Sequence, residues 1–128
     1  MNVYFENVKK NFGFGCMRLP MKDGEIDRDE MCRMVDTFLE NGFNYFDTAH
    51  GYLGGKSETA LRECLVKRHP RNAYVLTNKL STHFFNKQEQ IRPLFEGQPA
   101  ACGVDYFDFY LMHAQLADIH DSLHRSCV

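Results

Sequence analysis

AYVLTNK (73–79) reads as a short buried strand that ends on a lysine. Two further runs read the same way: FNYFD (43–47) closes on an aspartate, and VDYFDFYLMH (104–113) closes on a histidine. A fourth, NFGFGCMRL (11–19), is short, apolar and punctuated by glycine. The runs are near-continuously apolar rather than alternating. That is the pattern of strands covered on both faces, hence of parallel strands joined by crossover helices. Strand starts recur about every 30 residues, the length of one βαβ unit.

Helical stretches fill the intervals. In IDRDEMCRMVDTFLENG (26–42), Met31, Met34, Val35, Phe38 and Leu39 recur at three- and four-residue spacing and make one apolar face. Asp27 suits the N-cap with Glu30 as its capping-box partner, and Gly42 suits the stop. SETALRECLVKRH (57–69) follows a glycine-rich loop; Ser57 is the expected cap and Pro70 lies just past the end. A third helical segment runs roughly from 86 to 102. Its Pro93, Gly97 and Pro99 are poor helix residues, so a break is expected there. A short amphipathic tail carries Leu116, Ile119 and Leu123.

Repeated strand–helix units fit either a doubly wound sheet or part of a (β/α)8 barrel. Gly13-x-Gly15 lacks the third glycine of a dinucleotide fingerprint, since position 18 is Arg18. The chain has 128 residues and a net charge of −2, with neither a basic tail nor an apolar stretch near the length of a bilayer span. Nucleic-acid and membrane partners are therefore not expected, and a cytoplasmic address is. The five cysteines are odd in number and form no C-x-x-C pair, so reduced structural thiols are expected. His50, His69, His83, His120 and His124 show no metal-ligand spacing, and no metal site is expected.

Chemistry gathers at the strand ends. Asp47, Lys79 and His113 close strands and Tyr52 follows one closely, at the end of a parallel sheet where such folds keep their active sites. Each has a bland reading alone: a loop cap, a surface aromatic, a solvated amine, a satisfied core-edge histidine. Together, a partly desolvated lysine and aspartate should pair. A nearby ammonium favours the phenolate form of a tyrosine and equips it to give and retrieve a proton. An imidazole beside it can donate to a carbonyl oxygen. The set suits protonation of an oxygen on which negative charge develops, as in carbonyl reduction by hydride, for which a cofactor must supply the hydride.

At these residues the chain resembles an aldo-keto reductase. FGFGCMRLP, NYFDTAHGYLGGKSE, VLTNK and GVDYFDFYLMH occur in the order and spacing of that family, over about residues 11–115. The wording is nearest to bacterial members that also carry a C-terminal iron–sulfur domain. The resemblance implies the N-terminal half of a (β/α)8 TIM barrel, about four parallel βα units, as a single partial domain over 1–128. It implies NADPH (NADP+) as cofactor and a small carbonyl compound as substrate. Tyr52 takes the place of the general acid, Lys79 of the lysine that tunes it, Asp47 of the aspartate that pairs with the lysine and lies near the nicotinamide ribose, and His113 of the substrate-orienting histidine. Gly15, Cys16 and Met17 match the strand-end segment beside the nicotinamide.

A complete barrel takes about 250 residues, so this sequence reads as a truncated half in which the main grip on the NADPH phosphate and adenine is missing. Its first and fourth strands would be open edges, and association of two halves would close the mouth. The leading expectation is an NADPH-dependent reductase of aldehydes and ketones, impaired or inactive as this chain. The alternative is a non-catalytic fragment or a binding or regulatory module that keeps the reductase shell.

Overall fold

The structure, a computed structural model, describes residues 5–113. The first strand is shorter than expected: β1 covers only Gly13–Gly15. The turn at Pro20–Gly24 proves to be a small antiparallel hairpin, β2 (Met21–Lys22) against β3 (Glu25–Ile26). Helix α1 (Arg28–Glu40) follows, then β4 (Tyr45–Asp47), α2 (Lys56–Leu61), β5 (Val75–Ser81), α3 (Ile91–Cys102) and β6 (Phe109–His113). The amphipathic tail, with His120, His124 and Cys127, lies outside the described residues.

The four long-range strands form one parallel sheet in the order β1-β4-β5-β6, which is chain order. A doubly wound sheet reverses its strand order and takes helices on both faces. Here each strand lies beside its predecessor and the helices share one face. Phe46 of β4 and Leu76 of β5 point to that face and form one core with Met31 and Val35 of α1, Ala60 and Leu61 of α2, and Cys102 of α3. Phe14, Phe38 and Phe46 meet there with ring centroids 5.2–5.4 Å apart. The opposite face carries Tyr45, Thr77 and Phe109, with the Thr77 hydroxyl donating to Tyr45 Oη at 2.7 Å. Phe5 stacks on Phe109 at 5.1 Å. This is a half barrel: helices outside, a mixed layer inside, and β1 and β6 at its two margins.

Local chemistry sets the helix limits. Asp27 caps α1 by accepting from the Glu30 N–H at 3.1 Å. The reciprocal half of the expected capping box does not form, because the Glu30 carboxylate pairs with Arg33 and the Asp27 N–H is taken by the Pro20 carbonyl at 2.7 Å. Gly42 stops the helix at φ +87, a conformation that costs glycine nothing. Ser57 is not the cap of α2; Gly55 holds that position, and Ser57 is buried for another purpose. After Leu61 the helix widens into a π-type turn over Arg62–Val66.

Helix α3 overturns the expected break. It runs unbroken through Pro99. Pro93 lies in its first turn, where the missing N–H has no partner to lose. Pro99 lies three residues before the end, and the chain then turns through Gly103 at φ +76 while the Val104 N–H binds the Pro99 carbonyl at 2.9 Å.

Candidate active site

Period-two alternation along β5 sends Thr77, Lys79 and Ser81 to the inner face, while Leu76, Asn78 and Leu80 face the helices. Asp47 sits at the end of β4, in register with Thr77. The Lys79 ammonium donates to Asp47 Oδ2 at 2.8 Å, to the Thr48 carbonyl at 2.9 Å and to Tyr52 Oη at 3.0 Å. An ammonium has three protons, so every one is committed. Lys79 is only 9% exposed, and Asp47 balances its buried charge. The ammonium also stands 4.7 Å from the centroid of the Tyr52 ring.

Backbone conformation aims Tyr52. Its N–H binds the Ala49 carbonyl at 3.2 Å, and the next three residues, Leu53, Gly54 and Gly55, all have φ between 53 and 88. This left-handed excursion turns the chain from the strand end into α2. Glycine makes it without strain at 54 and 55, whereas Leu53 pays a steric penalty and packs its side chain against the core.

His113 joins the group from β6. Its ring lies 5.8 Å from that of Tyr52 in an edge-to-face arrangement. Nδ1 stands 2.9 Å from Ser81 Oγ, its partner in strand register. Burial holds the His113 pKa below its usual value, and the Lys79 charge pushes it further the same way. The imidazole is therefore neutral near pH 7, with a single N–H to offer. A phenol tied to a fixed cation, beside a neutral imidazole, can hand a proton to an oxygen placed between them.

The first strand end behaves differently. Gly15 has open space where a Cβ would stand, and the Met17 side chain is exposed. Cys16 is wholly buried; burial and the nearby Asp47 charge push its thiol pKa far up, so it offers neither a nucleophile nor a surface. Its carbonyl accepts from the Ser57 hydroxyl at 2.8 Å, and Thr48 Oγ1 in turn donates to Ser57 Oγ at 2.8 Å. Ser57 thus clamps together the ends of β1 and β4.

The Aldo/keto reductase family model matches residues 11–120, and all four strands of the parallel sheet and the strand-end group fall inside that span. The chain belongs to the aldo/keto reductase family. Among its relatives, 4-dihydromethyl-trisporate dehydrogenase of Mucor mucedo is 32% identical over 106 residues, 79% of this chain and 30% of the relative. The NADH-specific methylglyoxal reductase of Escherichia coli is 33% identical over 116 residues, 75% of this chain and 34% of that one. This aldo/keto reductase chain therefore spans about a third of the length of either. Its sheet and helices superpose on an aldo-keto reductase from Bacillus halodurans, in holo form, with a TM-score of 0.70 at 28% identity, covering 88% of this chain and 39% of that structure.

Family membership brings a nicotinamide cofactor into question, and the residues present suit one. Asp47 Oδ1 makes no hydrogen bond among the described residues, so a carboxylate oxygen is free to accept from a hydroxyl beside the Lys79–Tyr52 pair. Gly15, in register with Asp47, has open space where a Cβ would stand, and the Met17 side chain is exposed.

Several supporting residues escaped the reading of the sequence. Ser81 could have been found, since it lies two residues past Lys79 and so shares its strand face. Asn78, Glu58 and Gln98 lie behind the strand. Asn78 Oδ1 accepts from the Lys79 N–H at 2.8 Å and from Gln98 Nε2 at 2.9 Å, while Gln98 Nε2 also donates to the Lys79 carbonyl at 3.0 Å. Tyr110 donates to Gln98 Oε1 and closes the far end. Gln98, set between Gly97 and Pro99, gives no sequence signal of being buried.

Proposed function

We propose that this chain carries the catalytic half of an NADPH-dependent reductase that converts small aldehydes or ketones to alcohols, with Tyr52 as proton donor. The observation that carries the reading is the 3.0 Å contact between Lys79 Nζ and Tyr52 Oη, with Asp47 on the same ammonium at 2.8 Å. As the phenol gives up its proton, the committed ammonium stabilises the charge left on oxygen. His113 positions the substrate carbonyl oxygen by a second hydrogen bond. Asp47 holds Lys79 through one oxygen and offers the other to a ribose hydroxyl of the cofactor. Gly15 and Met17 border the nicotinamide. Cys16 contributes through its backbone, which fixes that border. The cofactor, when bound, supplies the hydride.

Residues 1–128 act in this reading as one partial barrel domain in the cytoplasm, completed at its β1 and β6 margins by further barrel structure or by a second copy of the chain. Titration with NADPH and NADH, followed by assay with 4-nitrobenzaldehyde, tests the proposal. Micromolar NADPH affinity with turnover supports it. Failure to bind up to millimolar nucleotide favours the non-catalytic shell.

A further inference from the structure

Lys79 has no proton left for a substrate, so the polar contacts to a carbonyl oxygen fall to Tyr52 and His113. A neutral imidazole serves only in one tautomer. With the proton on Nε2, it donates to the carbonyl oxygen. With the proton on Nδ1, it turns a lone pair toward the lone pairs of that oxygen. Something must choose, and the sole hydrogen-bond partner of the ring among the described residues is Ser81.

We propose that Ser81 is a positioning residue whose hydroxyl donates to Nδ1 and thereby fixes His113 as the Nε2–H tautomer. The proposal rests on the reductase reading of the site and adds a residue to it. Proton counting carries the argument. Ser81 is 2% exposed and its Oγ has no other partner among the described residues. If Nδ1 held the proton, Ser81 would accept it and its own hydroxyl hydrogen would be left buried and unmade, at the full desolvation cost of that donor. If Ser81 donates, both groups are satisfied and Nε2–H is free.

The alternative of an imidazolium, in which both nitrogens donate, is opposed by the charges that face the ring. Burial disfavours it most, Lys79 and then His83 add to that, and Asp47 alone favours it. Strand geometry keeps the pair together: Ser81 and His113 are directly opposed across the β5–β6 ladder, on the face that carries Lys79. Tyr52 meets the same ring from the neighbouring loop, so the tautomer is chosen beside the proposed proton donor.

The test reads the tautomer directly. Long-range proton–nitrogen NMR spectra of the full chain labelled with ¹⁵N-histidine, taken without nucleotide at pH 7.5, resolve each ring, and His113→Asn assigns the relevant one. The expected wild-type pattern is an unprotonated Nδ1 and a protonated Nε2. In Ser81→Ala the two nitrogen shifts should converge as both tautomers are sampled, and Ser81→Thr should restore their separation. A protonated Nδ1 in the wild type overturns the proposal, as does a Ser81→Ala spectrum that keeps the wild-type separation. If Ser81→Ala does not fold, the wild-type and Ser81→Thr spectra still decide, since each must show the Nε2–H form. No turnover enters the measurement, so a chain that fails to reduce aldehydes still answers the question, and the two readings stand or fall separately.

Discussion

His50 Nδ1 lies 2.8 Å from Glu58 Oε1, while Oε2 of the same carboxylate accepts from Asn78 Nδ2 at 2.8 Å. One buried carboxylate therefore joins the loop that carries Tyr52 to the strand that carries Lys79. The phenol and the ammonium come from different elements, and their separation is only as well defined as the link between those elements. Glu58 supplies that link from the helix side of the sheet.

Glu58→Leu should expose its importance. A leucine side chain accepts no hydrogen bond and can satisfy neither His50 nor Asn78. A buried partner is left unpaired, and stability should fall by about 1–3 kcal/mol in urea unfolding. Lys56→Gln is the contrasting control. Its pair with Glu25 is exposed, so its loss should shift stability by less than about 1 kcal/mol. Equal effects from the two changes would remove Glu58 from this role.

The same loop is braced from the other side. A Cβ at Gly51 would stand 2.9 Å from two atoms of the Phe84 ring, and Phe84 also meets His50 edge-on at 4.8 Å. Gly51→Ala requires that ring to move, although its backbone (φ −84) suits alanine. Gly51→Ala should therefore be destabilising alone and nearly neutral in a Phe84→Ala background, a coupling of about 0.5 kcal/mol or more in a double-mutant cycle. Strict additivity of the two changes would show that the contact carries no energy.

Acid should weaken the fold through His113. Its pKa in the folded chain lies below the unfolded value of 6.5, because burial and Lys79 oppose the charged ring. Between the two values the unfolded chain binds a proton that the folded chain does not. Stability from this group is thus complete above about pH 6.5 and is lost as pH falls through the window beneath it. Urea midpoints between pH 5 and 8 should show this slope, and His113→Gln should flatten it. A slope unchanged by His113→Gln would assign it to other groups.

Much of this arrangement is legible in the sequence because strand ends are legible. Asp47, Lys79 and His113 terminate apolar runs, and a parallel sheet sends such termini to one rim. The structure brings them and Tyr52 into contact there. Ser57 illustrates the limit: the sequence marks it as a helix cap, yet tertiary contacts draw its hydroxyl to the Cys16 carbonyl 41 positions away. Local propensity cannot register a competitor so distant in the chain. Helix α3 fails for the same reason. The rules that disfavour Pro99 describe an isolated helix, whereas Gln98 is locked by Lys79, Asn78 and Tyr110 and holds the backbone helical around the proline.

Pro99 deprives the preceding turn of one hydrogen bond, and the helix persists in spite of it. Pro99→Ala should restore the donor and raise stability by about 2 kcal/mol, the gain of a good helix residue less the freedom returned to the unfolded chain. Circular dichroism with urea unfolding measures both helix content and stability. A loss of stability would mean instead that the rigid ring itself sets the turn into Gly103.

Tyr52 and Lys79 should act as one unit. In the proposed reaction the phenol transfers the proton, and the lysine matters because it stabilises the oxygen that loses it. In the barrel completed at its β1 and β6 margins, assayed with NADPH and 4-nitrobenzaldehyde, Tyr52→Phe should lower kcat by about 10²- to 10⁴-fold, the range for loss of a positioned general acid. It should leave NADPH affinity nearly unchanged, because the phenol oxygen is bonded to Lys79 and the free oxygen of Asp47 is untouched. Lys79→Met should fall into the same range. The informative variant is the double mutant. If both residues serve a single proton transfer, removing the second after the first costs little more, and the combined loss stays within a few-fold of the worse single change. Losses that multiply would mean that Lys79 has a separate task, and a Tyr52→Phe enzyme of near-normal rate would falsify the assignment of the proton donor.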